Sequence, residues 1–401
     1  MKITKKQARH FMLAHQNVLT PRKAKGKEGI LEYIRRVGCI QFDPLNMVGN
    51  NPYLVLQSRI DDFKPEYLQE LLYSDRKLLD GWDKNMAIYA IEDWPCFSRY
   101  RKDSYRRLGD ESNPINKILE EVREAIALSG PLSSIDLKYD TIVDWSWAPT
   151  RASRAALESM YFWGELIIHH KIGTRKVYDF AEKHIPSEIL SMADPNTTME
   201  QYFEWNVKRR IGAIGLLWGR PSDAWLGIHW IKGKERDEAL SRLLEKREVL
   251  PIEVCDIKYP LYLRKEEMPL LDKSLNRNDF KPQTSFIAPL DNLLWDRKLI
   301  KEIFGFEYTW EVYKPVSERK YGYYVLPVLY GDKFVARFEP RLNKKTGKLE
   351  IINWWWEADI VISKEMKQAL IRCFNQFLKY LGAEGIELDS KSNTVENLAW
   401  L

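Results

Sequence analysis

Cysteine and histidine are scarce in this chain. Its 401 residues include four cysteines, all far apart in the sequence, and six histidines. There is no CxxC pair and no Cys/His group with the spacing of a zinc site, so we expect neither a structural metal nor a disulfide framework. The free thiols should mostly pack as small buried apolar side chains.

Long apolar runs are missing too. No apolar stretch reaches the roughly 18 residues that a membrane span requires, and the opening residues MKITKKQARH lead directly into an amphipathic pattern. We therefore expect a cytoplasmic protein with no membrane partner.

Two catalytic signatures are also absent. The sequence has no GxxxxGK[ST] loop and no evident cluster of metal-binding carboxylates, so it does not support an RNA or nucleotide phosphotransferase. No lysine stands out in an apolar context that would lower its pKa, which leaves a Schiff-base lyase without support. We expect no cofactor and no catalytic metal.

The composition is that of a folded protein of several modules. Hydrophobic residues make up 45% of the chain, and its length exceeds the roughly 100 to 200 residues of one ordinary domain. The net charge of +5 is a small difference between 62 basic and 57 acidic residues, so it is only weak evidence for an anionic partner.

A pattern of helix, glycine and strand opens the chain and then recurs. Ile30, Ile34 and Val37 share one face of a predicted helix, and Gly38 is suited to end it. The run from 39 to 43 then has the character of a strand, which Pro44 ends because proline cannot donate to a ladder.

Two further copies follow the same order. A helix ending at Gly164 precedes ELIIHHKIGTRKVYDF, which predicts a hairpin that turns at residues 172–174. A helix containing Leu240 and Leu244 precedes the strand-like segments VLPIEV and PLYLR. Helices followed by a two-stranded hairpin are typical of the winged helix-turn-helix, which binds DNA.

The last third of the chain favours β structure. YTWEVYKP and KYGYYVLPVLYGDKFVARFEPRL alternate aromatic or β-branched residues with other types, and a turn is predicted at residues 330–332. A final helix is predicted from about Lys364 to Leu381. The fold class is therefore α+β, with winged-helix modules at 1–110, 111–200 and 201–280 and a β-rich, barrel-like domain at 281–401.

Gln41 and Asp43 are the candidate catalytic pair. Residues i and i+2 of a strand point the same way, so a carboxamide and a carboxylate would share one face. In the second copy Ile167 stands where the first has Gln41, so the first copy departs from its own repeat. The alternative is that Asp43 only caps the turn at Pro44 and that Gln41 is an exposed strand residue.

This pair suits hydrolysis of an N-glycosidic bond. A carboxylate can stabilise the oxocarbenium charge that develops on deoxyribose and can activate water, and the amide can orient that water. A purine alkylated on a ring nitrogen is cationic and leaves as a neutral base, so no strong general acid is required.

Basic residues cluster where a winged helix would meet DNA, and we interpret them as phosphate contacts. The alternative for each of them is an ordinary solvated surface charge. The turn at 316–322 adds two cations beside an aromatic ring, a device that can wedge DNA open or can simply keep a hairpin tip soluble. The candidate DNA contacts are Arg151, Arg154, His169 (or His170), Lys171, Arg175, Lys176, Arg319, Lys320 and Tyr321.

In the segments IRRVGCIQFD, YFWGELIIHHKIGTRKVYDFAEKHIP and APLDNLLWDRKLIKEIFGFEYTWEVYKPVSERKYGYYVLPVLYGD, the chain resembles the bacterial crosslink-repair DNA glycosylases, the YcaQ/AlkZ-like family. The resemblance implies a C-shaped scaffold of tandem winged helices with a β-rich domain, cradling duplex DNA. It implies catalysis by a Gln-apolar-Gln or Gln-apolar-Asp motif, here Gln41-Phe42-Asp43. The Asp version resembles the branch of the family that acts broadly on alkylated bases and unhooks interstrand crosslinks. Phe42 and the neighbouring NMVGNNPY depart from the family pattern as we expect it, which leaves the preferred lesion open.

The leading hypothesis is a monofunctional DNA glycosylase that hydrolyses the bond to N7- or N3-alkylated purines, crosslinked ones included, and leaves an abasic site. Its partner is double-stranded DNA with alkylated or crosslinked bases, and we expect a nucleoid-associated monomer. The rival hypothesis is a non-catalytic winged-helix DNA-binding protein or transcription regulator, because winged helices more often regulate than catalyse.

Overall fold

The computed structural model describes residues 1–110, 113–145, 148–275, 280–390 and 392–401. The chain divides into two compact units that alternate along the sequence. The first unit comprises Met1–Tyr67, Trp82–Ile88 and Phe203–Leu401, and the second unit comprises Leu68–Gly81 and Tyr89–Tyr202. The four module boundaries expected from the sequence stay a prediction.

Helices and strands are mixed throughout the described residues, so the α+β fold class is confirmed. In chain order the elements are β1 (Lys2–Ile3), α1 (Lys5–His15), α2 (Gly26–Val37), β2 (Cys39–Gln41), α3 (Asn51–Gln57), α4 (Pro65–Tyr73), β3 (Leu78–Asp83), β4 (Asn85–Ala90), α5 (Ser98–Leu108), α6 (Leu119–Ser129), β5 (Ile142–Val143), β6 (Thr150–Arg151), α7 (Ala152–Phe162), β7 (Leu166–Ile172), β8 (Arg175–Phe180), α8 (Ser187–Leu190), α9 (Met199–Ile214), α10 (Gly233–Glu245), β9 (Val249–Val254), β10 (Leu261–Arg264), α11 (Met268–Leu275), β11 (Thr284–Phe286), α12 (Arg297–Phe304), β12 (Leu326–Tyr330), β13 (Lys333–Asn343), β14 (Lys348–Trp356), α13 (Lys364–Leu381), β15 (Ile386–Leu388) and α14 (Thr394–Leu398).

The second unit has its own core, built from α6, α7 and the hairpin of β7 and β8. Leu119 and Val122 of α6, Met160 of α7, and Leu166 and Ile168 of β7 are all buried together. The hairpin is antiparallel and turns between residues 172 and 175, as predicted. Helix, helix and hairpin is the order that a winged helix would have, and the winged-helix assignment itself stays a prediction.

In the first unit, the predicted hairpin after α10 is present. Strands β9 and β10 pair antiparallel, and the N-terminal strand β1 adds to β9 in parallel, which gives a three-stranded sheet. This third occurrence of helix and hairpin agrees with the expected repeat in its element order.

The C-terminal part of the first unit contains a five-stranded sheet in the order β11-β12-β13-β14-β15. Its core is a cluster of rings in which Phe286 packs against Phe338, Phe374 and Phe377. Helix α13 has the predicted bounds; Ser363 caps its N-terminus, and Gly382 ends it in the left-handed conformation. The sheet is open, because β11 and β15 are edge strands, so the expectation of a barrel-like domain was wrong.

One predicted strand is a loop. The segment YTWEVYKP forms no strand, and residues 305–325 run without a β ladder from α12 to β12. Its alternating aromatic residues are held by tertiary contacts instead: the Tyr308 hydroxyl, for example, donates to the carbonyl of Val325 at 2.8 Å. The turn at 316–322 therefore lies within a long loop and not between two strands.

Three of the four cysteines, Cys39, Cys96 and Cys373, are buried as free thiols, as expected. Within the described ranges, no helix has both the length and the apolar character that a membrane crossing requires.

Candidate active site

The Gln41-Phe42-Asp43 segment follows α2 and a tight turn in the first unit. Gly38 has a φ of +81°, and a Cβ there would lie 3.1 Å from the Arg209 side chain, so the turn requires glycine. Strand β2 is shorter than the predicted 39–43, because it ends at Gln41. The Phe42 amide still donates to the carbonyl of Met86 at 2.8 Å, so Asp43 is the first residue beyond this pairing.

Asp43 is a half-buried carboxylate. Its Oδ1 accepts a hydrogen bond from the Leu45 amide at 2.9 Å, which closes an Asx turn around Pro44. Burial raises the pKa of Asp43, and the Leu45 hydrogen bond opposes that rise without cancelling it. Among the described residues, no cation lies within ion-pair distance of this carboxylate. The turn-capping role that the sequence offered as the alternative is thus present, but it uses only one of the two oxygens.

Two buried asparagines hold the backbone of β2. Asn51 Nδ2 donates to the carbonyl of Gln41 at 2.8 Å, and Asn51 Oδ1 accepts from the Leu290 amide at 3.1 Å. Asn292 Nδ2 donates to the carbonyl of Cys39 at 2.9 Å. Carbonyls two residues apart on a strand point to the same edge. The asparagines therefore satisfy this edge of β2 in place of a neighbouring strand.

The Gln41 side chain is only 8% exposed. Within the described part of the chain, no hydrogen bond to its carboxamide is found, although its backbone is fixed through Asn51. The donor and acceptor of this amide are thus left for a ligand or water.

The segment after Asp43 is anchored at several points. The Leu342 amide donates to the Met47 carbonyl at 3.0 Å, and the Tyr380 hydroxyl donates to the Val48 carbonyl at 3.2 Å. Gly49 has a φ of +109°, and a Cβ there would overlap the Tyr380 hydroxyl. Asp43 therefore lies on a backbone that is fixed on both sides.

The loop 305–325 brings tyrosines into the electrostatic reach of Asp43. A partial loss of hydration raises the pKa of Tyr313, and the negative charge of Asp43 raises it further. The same carboxylate contributes, after burial and Tyr308, to the raised pKa of Tyr324. Tyr324 is buried, whereas Tyr313 is 81% exposed and contacts the Trp310 ring edge-on at a centroid distance of 5.6 Å. A large aromatic ring thus stands in solvent near the candidate carboxylate.

Glu311 fixes the shape of this loop. Its Oε2 accepts from the Tyr321 amide at 2.8 Å, and its Oε1 accepts from the Lys320 amide and from Lys314 Nζ. Burial would raise the pKa of Glu311, but these three donors outweigh burial and lower it to about 2. The carboxylate therefore stays charged and keeps the loop closed on itself at neutral pH.

The residues of this loop that were predicted to contact DNA also interact with other groups of the protein. Arg319 Nε donates to the Lys314 carbonyl at 3.0 Å, and the Arg337 guanidinium lies 4.1 Å from the centre of the Tyr321 ring. Lys320 is exposed, with its Nζ 5.0 Å from the centre of the Tyr321 ring. The more prominent side chains of the loop are Tyr313 and Val316, which the sequence reading did not single out.

In the second unit, three of the predicted DNA contacts come together. Arg154, Arg175 and Lys176 line one cavity of about 380 Å³, with Glu158 as the carboxylate in its wall. Arg154 Nε donates to Glu158 at 3.1 Å. Neither Arg175 nor Lys176 has a hydrogen-bond acceptor within the described residues. Burial lowers the pKa of Lys176, as expected for a cation without such a partner.

The other predicted contacts of the second unit have protein partners. Lys171 Nζ forms an ion pair with Asp80 at 2.5 Å, and the Lys171 side chain is only 10% exposed. Arg151 forms an exposed ion pair with Asp140 at 3.3 Å.

The histidines are packed together. His169 Nδ1 lies 2.8 Å from Nδ1 of His170, and the His169 and His184 rings are 5.0 Å apart. Burial, followed by the charge of Arg76, lowers the pKa of His169.

A buried lysine of the first unit was missed at the sequence level. Lys84 is 5% exposed, and burial, followed by the charge of Arg210, lowers its pKa to about 8. The expectation that no lysine has such an environment was therefore wrong. The described residues contain no group of three His, Cys, Asp or Glu side chains arranged to hold a metal ion.

Comparisons with known proteins agree on one family. The model of the family described as "DNA glycosylase AlkZ-like" matches residues 34–380. Among solved structures, the chain is similar to Streptomyces sahachiroi DNA glycosylase AlkZ, with a TM-score of 0.63 and 13% sequence identity over 97% of this chain and 100% of that one. At this identity the structural similarity shows a shared fold, and the family match carries the function.

Proposed function

This chain belongs to the AlkZ-like DNA glycosylase family and is a DNA glycosylase, and from that premise we propose that it hydrolyses the bond between deoxyribose and purines alkylated at N7 or N3. We propose that it also unhooks crosslinked purines and leaves an abasic site without cleaving the strand. The family match decides for the enzyme and against the rival hypothesis of a transcription regulator.

The observation that carries the catalytic proposal is the environment of the Asp43 carboxylate. Its carboxylate is half-buried, is held by one backbone amide, and has no cationic partner within the described residues. An anion that has lost part of its hydration and is not neutralised by a cation interacts strongly with positive charge that develops nearby. The oxocarbenium-like sugar of N-glycosidic cleavage carries such a charge, so Asp43 would stabilise the transition state more than the uncharged sugar of the substrate.

Water activation follows from the same geometry. With Oδ1 bonded to the Leu45 amide, Oδ2 is left to accept a proton from water. The Gln41 carboxamide, which has no hydrogen-bond partner within the described ranges, would orient that water with its own donor and acceptor. The fixed backbone of β2 and of the segment after Asp43 would limit the reorganisation that the reaction requires.

DNA contact would be shared by two regions. The cavity of the second unit that holds Arg154, Arg175 and Lys176 suits a backbone phosphate, because two of its cations have no protein acceptor. Arg151, His169 and Lys171 would contribute less, since each already interacts with another side chain. In the first unit, Lys320 and the ring of Tyr321 would approach DNA on the loop 305–325, with Arg319 supporting the loop.

The test is excision from duplexes that carry one defined lesion each: N7-methylguanine, N3-methyladenine or a purine interstrand crosslink. The expected products are the free alkylated base and an alkali-labile site, with no strand break before alkali. Borohydride should trap no covalent adduct, since hydrolysis by water forms no Schiff base with a lysine. Absence of base release from all three duplexes would refute the substrate proposal, and a trapped adduct would refute the monofunctional mechanism.

A further inference from the structure

Two cavities in the first unit both have Pro21 and Arg22 among their lining residues. The first cavity has a volume of about 340 Å³ and is lined by Arg22, Lys23, Arg36 and Lys273, with Glu32 as the carboxylate among its lining residues. Residues 21–24, which belong to the basic segment that links α1 to α2, form part of its wall. This cavity therefore has a clear excess of positive charge.

The second cavity has a volume of about 230 Å³. Arg22, Lys281 and Arg372 line it, and Asp61 is the carboxylate of its wall. The two cavities together bring six cations and two carboxylates to one region, although the whole chain has nearly equal numbers of basic and acidic residues.

Most of these cations form no hydrogen bond or ion pair through their side chains with another described residue. Arg36 donates to the His15 carbonyl and, at 2.6 Å, to Asn17 Oδ1. Among the described residues, no hydrogen-bond acceptor or ion pair is found for the side chains of the other five, which are Arg22, Lys23, Lys273, Lys281 and Arg372. Elsewhere in the first unit cations are paired at short range, as Arg59 is with Asp291 at 2.7 Å.

Arg22 shows that this region is built to receive an anion. Arg22 lines both cavities and is partly buried, and burial lowers its pKa because the charged form has lost hydration. A guanidinium offers five donors in a fixed plane, and leaving such donors without acceptors is costly unless a ligand or water accepts them. Two cavities that both have Arg22 in their lining suit two neighbouring phosphates of a single strand, since a guanidinium binds phosphate oxygens in a bidentate manner.

We propose that the two cavities around Arg22 bind consecutive backbone phosphates of one DNA strand. The contacts carry no sequence information, because the phosphates are the same at every nucleotide of the strand. They add a phosphate-binding region in the first unit to the one proposed for the second unit. The proposal rests on the DNA-binding role of the chain but not on its lesion or its catalytic residues.

The test uses undamaged duplex DNA, so that excision plays no part. Equilibrium binding is measured over a range of salt concentrations for the wild type and for Arg22→Gln/Arg372→Gln. Each phosphate contact contributes a slope of about −0.9 to a plot of log K against log salt concentration. Loss of both contacts should therefore make the slope less steep by about 1.8 and weaken binding equally on unrelated sequences.

Two matched variants isolate the effect. Lys344→Gln/Lys345→Gln removes the same charge from the exposed turn between β13 and β14 and should leave the slope close to that of the wild type. Arg22→Lys/Arg372→Lys keeps the charge and should retain most of the slope even if the glutamine variant folds poorly. A slope unchanged in the Arg→Gln variant, or changed as much in the control variant, would overturn the proposal.

A measurement with inorganic phosphate distinguishes the two possible occupants of the cavities, a DNA strand and a free phosphate ion. If millimolar phosphate raises the Tm of the wild type but not of Arg22→Gln/Arg372→Gln, while the salt slope of DNA binding is the same in both, the cavities hold free phosphate and the DNA assignment is wrong. Loss of slope in the variant supports the DNA assignment whatever lesion the enzyme prefers.

Discussion

The residues around β2 in the first unit and the hairpin of β7 and β8 in the second unit use charge in opposite ways. Around β2 one carboxylate, Asp43, has no counter-ion among the described residues, and its surroundings are held by neutral amide groups. On the hairpin several cations lie together, and some are already paired with carboxylates. A single uncompensated charge is suited to one chemical step, whereas many interchangeable charges are suited to binding a polyanion.

The largest expected effect is that of Asp43→Asn. Asparagine keeps the acceptor for the Leu45 amide but removes the negative charge, so excision should fall by about 10²–10³-fold. Affinity for lesion duplexes should change little, because no phosphate contact is removed. Single-turnover excision and equilibrium binding measure the two quantities. Asp359→Asn, in the exposed loop before α13, is the matched control. Equal losses in both variants would mean that Asp43 has no special role.

The second prediction concerns the asparagines that hold β2. Asn51→Ala leaves the Gln41 carbonyl and the Leu290 amide without partners, and Asn292→Ala leaves the Cys39 carbonyl without its partner. Each should lower the free energy of unfolding by about 1–3 kcal/mol. Only Asn51→Ala should also displace Gln41, so its kcat should fall by roughly 10 to 100-fold at unchanged affinity.

Urea unfolding and single-turnover rates distinguish the two roles. Similar stabilities with unequal excision rates would support Asn51 as a positioning residue for Gln41. Similar losses of excision rate in both variants, in proportion to their stability, would show that the asparagines act only through folding.

The third prediction concerns the hairpin of β7 and β8, where the expected effect of each single substitution is smaller. Arg175→Gln or Lys176→Gln should weaken binding to undamaged duplex DNA, with a salt slope reduced by about 0.9 for each lost contact and excision unchanged at saturating enzyme. Lys171→Gln should instead lower Tm, because the Asp80 carboxylate loses its cation and keeps the hydrogen bond from the Tyr73 hydroxyl. A larger effect on DNA binding from Lys171→Gln than from Arg175→Gln would reverse this assignment.

The same contrast explains what the sequence could and could not predict. The hairpin of β7 and β8 and the helix α13 depend on local patterns, a two-residue turn and a cap at each helix end, and both are present where predicted. The loop 305–325 imitates a strand, because its aromatic residues alternate, but they are held by distant partners such as the Tyr308–Val325 hydrogen bond. The alternation of aromatic residues in the sequence therefore does not distinguish a β-strand from a loop of this kind.

The candidate site shows the same limit of local patterns. Gln41 and Asp43 were proposed from their spacing, whereas the support from Asn51 depends on a hydrogen bond to Leu290, 239 positions away in the chain. The signal that was available is the NNP triplet at 50–52, which is typical of a helix N-terminus and does begin α3. The hydrogen-bond partners of Asn51 are determined by tertiary packing and cannot be inferred from the spacing of residues in the sequence.

The smallest expected effect is one of pH on stability, and it tests whether Asp43 is held in a state that costs folding energy. Burial raises the pKa of Asp43 in the folded protein above that in the unfolded chain, where Asp titrates near 3.9. The folded state therefore binds the proton more tightly, and this contribution to stability is present at low pH and lost as the pH rises through the folded-state pKa.

Asparagine does not titrate, so Asp43→Asn should have a slightly higher Tm than the wild type at pH 7, and the difference should shrink as the pH falls toward 4. Excision by the wild type should decline over the same acidic range, since the reaction requires the charged carboxylate. If Asp43→Asn were instead less stable at pH 7, the carboxylate would be contributing to the fold like the paired charges of the hairpin, and the contrast between the two regions would not hold.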